Sequence, residues 1–330
     1  WITHWNSLDS AQHAKKINML LKHAMKKILI SLAVLLAIIG LVVIYKQRTT
    51  LPVLSKSGSI TIVVSMYPLK EIAQNVGAEK VNVNMITPNG VEPHDYEPTP
   101  QDIAALQSAD LVLINGAGME PWIAKIKPDL EAQGVKILDL VQTLPLSDLI
   151  ANSQGQIDPH IWLNPQLFQK EIESVRDALT SIDRANASFY TENAKRYSIE
   201  IAALDAKFIE GLSSCALNDF ITTHNAFEYL AMRYHLTPHG IVGFSPEEEP
   251  TARALAELSS MARRQKIKYI LVEPLMNDKI AKTLAKEAGA QTLTLNPIEG
   301  LTADEAQKGA TYQTLMKENF DHLRTALSCK

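Results

Sequence analysis

Two α/β lobes, each with a mainly parallel sheet flanked by helices and the pair joined by one long linking helix, are what this sequence predicts. Strand-like runs alternate with helical ones along most of the chain, the signature of βαβ units. One helical run, 184–212, meets no glycine or proline before Gly211 and spans about 40 Å at the helical rise, more than one small domain needs. The length of 330 residues is that of about two domains.

The elements follow in order. Residues 59–65 (SITIVVS) form a β-branched run that reads as a strand, and the amphipathic stretch 69–76 follows it as a helix. A strand over 81–86, a helix over 100–108 and a strand over 110–115 continue the alternation. After Asn164-Pro165, apolar residues recur at helical spacing to Ile182, and the long run 184–212 then reads as a connector. Beyond it the pattern restarts with strand 219–223, helix 226–233, strand 239–242, helix 251–265, strand 268–273, helix 278–288, strand 291–295 and a last helix over 311–327. A cleft is expected between the lobes.

With 46% apolar and 21% charged residues, the composition is that of a folded globular protein. The formal charge of −4 is unevenly spread: residues 1–50 hold seven Lys or Arg and one Asp, leaving 25 positive against 35 negative side chains in the rest. Such an acidic body argues against nucleic acid as a partner, because phosphate binding needs a positive footprint, and suits a cationic ligand.

Residues 28–45 (ILISLAVLLAIIGLVVIY) carry no formal charge and are just long enough to span a bilayer. Five lysines precede the run, so the start of the chain is placed in the cytoplasm and everything after about residue 50 outside it, in the cell envelope. An uncleaved anchor is preferred to a cleaved signal peptide, because no small-residue cleavage site follows and no Cys is present for lipid attachment. The expected layout is a cytoplasmic extension and membrane or signal segment over 1–50, a tether over 51–57, an N-terminal lobe over 58–183, a linking helix over 184–213 and a C-terminal lobe over 214–330. Both cysteines, Cys215 and Cys329, fall in the exported part, where they can pair as a disulfide.

Six histidines lie beyond the leader: His94, His160, His224, His235, His239 and His322. His94 sits in a loop after a strand (NGVEPHDYEPTP), His160 in the loop IDPHIWLNP, and His224 at the carboxyl end of FITTH. Ligands of open α/β sheets bind outside the carboxyl ends of strands, and neutral imidazole is a good donor to zinc. The other three histidines read as ordinary surface or partly buried residues. Gly116-Ala117-Gly118 after a strand lacks the third glycine of a dinucleotide fingerprint and is set aside. The run Glu247-Glu248-Glu249 reads as a solvated helix start.

In this order, PHDYEPTPQD, ADLVLINGAGMEPW, DPHIWLNP, ITTHNAFEYLAMRY, GFSPEEEPTARALAEL and YILVEPLMNDKIAKTLAKEAGA closely resemble the zinc- and manganese-type metal substrate-binding proteins of ABC importers (cluster A-I). The resemblance covers about residues 58–327. It implies a two-lobed fold with a rigid linking helix and one metal ion in the cleft, held by two residues from each lobe. Carried over by position, His94 and His160 are the N-lobe ligands and His224 the first C-lobe ligand. Many members have Asp in a segment like LDPL where this chain has Leu295-Asn296-Pro297-Ile298, so the fourth ligand is placed at Glu299, as in the zinc-type branch reading like NPLE. Glu273, ending YILVE, is held in reserve.

Three imidazoles and one carboxylate suit tetrahedral Zn²⁺, whereas the manganese-type branch usually has a carboxylate where this chain has His224. Zn²⁺ is therefore expected as the transported ligand over Mn²⁺. The resemblance further implies a membrane permease as partner, a monomeric carrier and no catalysis. Two other readings stay open: a zinc hydrolase with Glu299 or Glu273 as general base, and a surface adhesin with a structural metal.

Overall fold

The computed structural model describes residues 59–330. The apolar run 28–45 and the 51–57 tether lie outside the described residues, and no described helix is long and apolar enough to cross a membrane.

The N-terminal sheet contains β1 (Ile60–Val64), β2 (Val81–Met85), β3 (Leu111–Ile114) and β4 (Lys136–Asp139), in the order β2-β1-β3-β4. All of its pairings are parallel, which requires crossover connections between the strands, and its central strands are apolar on both faces because helices cover both. Helices α1 (Tyr67–Gly77), α2 (Pro100–Gln107) and α3 (Ile123–Ala132) supply the crossovers. Pro68 and Pro100 sit at the first turns of α1 and α2, and Thr99 with Asp102 forms a capping box on α2. Helix α3 and strand β4 add to the elements that the sequence predicts. Pro128 interrupts α3 and β4 is four residues long, so neither carries a clear period.

Next come α4 (Pro165–Ile182) and α5 (Ala187–Leu212), packed side by side. Asn164 caps α4 by accepting the Gln166 N–H at 2.9 Å. Along the 26 residues of α5, Tyr190, Ala194, Tyr197, Ile201, Leu204, Phe208 and Leu212 are buried, one side chain per turn on a single stripe. The C-terminal sheet repeats the first. Its strands β5 (Asp219–Thr222), β6 (Thr237–Gly240), β7 (Tyr269–Val272) and β8 (Gln291–Thr294) run parallel in the order β6-β5-β7-β8. It is covered by α6 (Glu228–Tyr234), α7 (Ala252–Gln265), α8 (Lys279–Ala288), α9 (Ala303–Gln307) and α10 (Tyr312–Ala326). The sequence leaves α9 unread because it is a five-residue turn, but a capping box of Thr302 and Glu305 builds it.

The lobes share their largest core. One cluster of buried apolar side chains runs from Ile62 and Leu113 in the first sheet, through Phe168, Tyr197 and Phe208 on α4 and α5, to Phe220, Leu271 and Tyr312. Two smaller clusters back the outer faces of the two sheets. Cys215 and Cys329 are disulfide-bonded, which ties the end of α10 to the start of the second lobe.

Candidate metal centre

Each of the four side chains that the sequence singles out arrives on a loop at the carboxyl end of a strand or before a helix. His94 sits in a single 3₁₀ turn, Pro93–Asp95, opened by Glu92, whose carboxylate accepts the His94 N–H at 3.4 Å. His160 immediately precedes a second such turn, Ile161–Leu163, that leads into α4. His224 follows β5, and Glu299 follows β8.

Glu299 is delivered by a turn that Asn296 organises. The Asn296 side chain accepts the Ile298 N–H at 2.7 Å and donates to Glu305 at 2.9 Å, while Ile298 takes a left-handed φ of 61°. That conformation is strained for a β-branched residue and persists only because its surroundings enforce it. The amide at this position shapes the loop, which is work a neutral side chain with both a donor and an acceptor can do. The turn is docked on the N-terminal lobe by Tyr67 N–H to Glu299 O at 3.3 Å and by Trp162 Nε1–H to Pro297 O at 2.7 Å.

The four donor atoms meet. Nε2 of His160 lies 3.4 Å from Nε2 of His94 and 3.2 Å from Nε2 of His224. Oε1 of Glu299 lies 3.0, 3.4 and 3.8 Å from Nε2 of His160, His224 and His94. One donor atom from each residue falls within 4.8 Å of all the others. Tetrahedral zinc with bonds of about 2.0–2.2 Å separates its ligand atoms by roughly 3.3–3.6 Å, and the separations here, 3.0 to 3.8 Å, bracket that spacing. The site is buried, with the side chains of His160 and His224 fully inaccessible and His94 keeping 7% exposure. Beyond the three imidazoles and Glu92, the Glu299 carboxylate has no hydrogen-bond donor among the described residues.

Behind two imidazoles stand carboxylates that sequence reading did not assign to that role. Asp158 Oδ1 accepts the His160 N–H at 3.0 Å and its ring Nδ1–H at 2.6 Å. Glu273 faces the ring Nδ1 of His224 through Oε2 at 2.5 Å and accepts its backbone N–H at 3.0 Å through Oε1. Both turn Nε2 toward the common point and make it a better donor. Glu273 thus lies on the far side of the His224 ring from the other donors. The spacing Asp-Pro-His was the available signal for Asp158; Glu273, held in reserve as a ligand for its place at the end of YILVE, supports His224 from 49 residues away.

Electrostatics divides the four. Burial pushes His94 below the usual imidazole range. Burial acts the same way on His160 and His224, but Asp158 and Glu273 outweigh it and raise both, His224 strongly. Burial alone would raise Glu299, yet the three surrounding imidazoles hold its carboxyl well below the usual range. Glu92, pressed into the site beside Glu299, is pushed up to about 10 by burial and by that neighbouring charge. No motif or spacing singles Glu92 out.

Outside the site, His239 pairs with Asp219 at 2.7 Å. Glu247, Glu248 and Glu249 are exposed and, with Glu92, Asp95 and Thr223, line a cleft of about 430 Å³.

Comparison with known proteins follows the same lines. The family model for zinc-uptake complex component A, periplasmic (ZnuA), matches residues 62–326. The high-affinity zinc uptake system protein ZnuA of Bacillus subtilis is 36% identical over 290 residues, which is 84% of this chain and 90% of that protein. The zinc-binding lipoprotein AdcA of Streptococcus pneumoniae is 34% identical over 311 residues, and there the match covers 91% of this chain but only 61% of the relative. The Zn(II)-bound ZnuA-like domain of Streptococcus pneumoniae AdcA superposes with a TM-score of 0.71 at 35% identity, covering 82% of this chain and 99% of that domain. With the match running from β1 to the end of α10 and taking in all four converging side chains, the chain belongs to the ZnuA family of periplasmic zinc-uptake components.

Proposed function

We propose that this chain is an extracytoplasmic carrier that captures Zn²⁺ between its lobes with His94, His160, His224 and Glu299 and delivers it to an ABC permease. The convergence of three Nε2 atoms and one carboxylate oxygen at tetrahedral spacing carries the reading. Zinc uptake is what the names of the relatives state, and a donor set of three imidazoles and one carboxylate favours Zn²⁺ over Mn²⁺.

Four protein donors fill a tetrahedral ion's coordination, so the site is built to hold and release, and not to present a metal-bound water to a substrate. This supports a transport component over a hydrolase. The expected layout is a monomer with metal-binding lobes at 58–183 and 214–330, a linking helix at 184–213, and the 28–45 segment as membrane anchor or signal.

Competition titration of Zn²⁺ against a chelator tests the assignment. His94→Ala, His160→Ala, His224→Ala and Glu299→Ala are each expected to weaken binding by more than about 100-fold, beyond the 10–100-fold typical of supporting residues. Full affinity in Glu299→Ala would remove the fourth ligand, and tight Mn²⁺ with weak Zn²⁺ binding would reverse the choice of ion.

A further inference from the structure

His160 is the donor whose loop belongs to neither sheet. Its neighbours are held by the second lobe, α10 included, and by the chain just before them through Asp158 N–H to Ile150 O at 2.9 Å. The Tyr229 hydroxyl on α6 donates to Asp158 O at 3.1 Å, Trp162 donates to Pro297 O, and the Tyr312 hydroxyl on α10 donates to Trp162 O at 2.6 Å. Among the described residues, one hydrogen bond fastens residues 157–162 to the end of a strand of the first sheet: Asn115 Nδ2–H to Pro159 O, at 2.9 Å.

Asn115 directly follows β3, is fully buried, and is itself clamped. The left-handed sequence Gly116 (φ 88°), Ala117 (φ 53°) and Gly118 (φ 87°) folds the chain back so that Glu120 meets the strand end. Glu120 then accepts the Asn115 N–H at 2.8 Å, the Gly116 N–H at 3.0 Å and the hydroxyl of Ser65 at the end of β1. A side chain at residue 116 would run into the Asp139 carboxylate, so the turn needs glycine there.

The second lobe holds the counterpart. Glu273, at the end of β7, accepts the hydroxyl of Thr223 at the end of β5, and also the N–H of His224. In both lobes, then, a buried glutamate joins the ends of the two central strands through a hydroxyl. In the second lobe that glutamate touches the metal-site histidine directly. In the first it reaches the histidine loop through Asn115.

We infer that Asn115, held by Glu120, is a positioning residue that registers His160 to the first sheet and so fixes its distance from His94. This rests on the zinc-carrier reading above. Three measurements test it: Zn²⁺ competition titration, the visible spectrum of the Co²⁺-loaded protein, and thermal unfolding without metal. Asn115→Ala is expected to weaken Zn²⁺ binding by about 10-fold, at the low end for residues that orient a ligand, and to alter the Co²⁺ bands as His160 shifts. Glu120→Gln, which leaves the amide-to-carbonyl bond in place, should change both in the same direction by less.

A purely structural role would lower the unfolding temperature and leave the Co²⁺ spectrum of the folded protein as it was. Parental spectrum and affinity within about twofold in Asn115→Ala would overturn the inference. Should that variant not fold, an unchanged Co²⁺ spectrum and affinity in Glu120→Gln would overturn it instead. His160→Ala serves as control: if it matches the parent, the carrier reading fails, an outcome distinct from failure of Asn115 alone.

Discussion

Asp158 and Glu273 each hold an imidazole by Nδ1 and by its backbone N–H, so one carboxylate sets both ring rotation and main-chain position. Asp158→Asn and Glu273→Gln keep the shape and remove the charge. Each is expected to weaken Zn²⁺ binding about 10–100-fold in competition titration, with little change in fold by circular dichroism. The same carboxylates raise His160 and His224, and a proton on either Nε2 occupies the point where the ion binds. Zn²⁺ affinity should therefore fall as pH drops through these raised values, which lie above the usual imidazole range, because protons compete with the metal for Nε2. Affinity that stays level through that drop would show that these rings enter the site neutral. Elsewhere, Glu171 on α4 is fully buried, neither carboxyl oxygen has a hydrogen-bond donor among the described residues, and burial raises it well above the usual range. Its folded form keeps the proton while the unfolded chain loses it near pH 4.3, so stability decreases as pH rises beyond that point. Glu171→Gln should flatten this loss and be the more stable protein at alkaline pH, by about 1–3 kcal/mol in urea unfolding.

At the scale of elements, the site depends on loops whose anchors are helix starts and strand ends. Asn164 caps α4 immediately after the turn that follows His160, and Thr302 with Glu305 caps α9 just after Glu299, so local helix signals also fix the ligand loops. The α10 helix closes the molecule by returning across α5, where Phe320 lies against Phe208. Its end is tied by the Cys215–Cys329 bond, whose two cysteines lie 114 positions apart. Cys215→Ser with Cys329→Ser should lower the melting temperature, with a loss of up to about 4–5 kcal/mol in the chain-entropy model, while Zn²⁺ affinity of the folded protein is kept. Equal thermal stability of the two forms would mean that packing of α10 alone suffices.

Across the whole molecule, the shared core decides how the lobes can move. Phe168, stacked on Tyr312 with ring centroids 4.1 Å apart, lies in the same buried cluster as Leu113 of one sheet and Leu271 of the other. Close-packed interiors do not deform smoothly, so large opening would have to break this cluster. Zn²⁺ loading is expected to shift elements by no more than about 1–2 Å, a shear movement, and to leave the radius of gyration in solution scattering nearly unchanged. A wide opening on metal removal would show that the cluster is divided between the lobes.

Periodicity and chain order were enough to read most strands and helices here, because apolar runs at period two or 3.6 reflect burial that each segment needs locally. Strand-end or proline context marked His94, His160 and His224 only as candidates, and it was the resemblance of the surrounding motifs to a metal-carrier family that joined them with Glu299 into one ligand set. Helix α3, strand β4 and helix α9 were not legible, since Pro128 and their short lengths leave too few residues to show a period. What tertiary structure alone decided was orientation. Glu273 and Glu299 are both acidic residues after C-terminal strands, yet only the folded chain turns Glu299 toward the three Nε2 atoms and Glu273 toward the back of His224. Asp158, Glu92 and Asn115 act through contacts whose direction is set by loop geometry, which the order of residues encodes only once the two sheets are assembled.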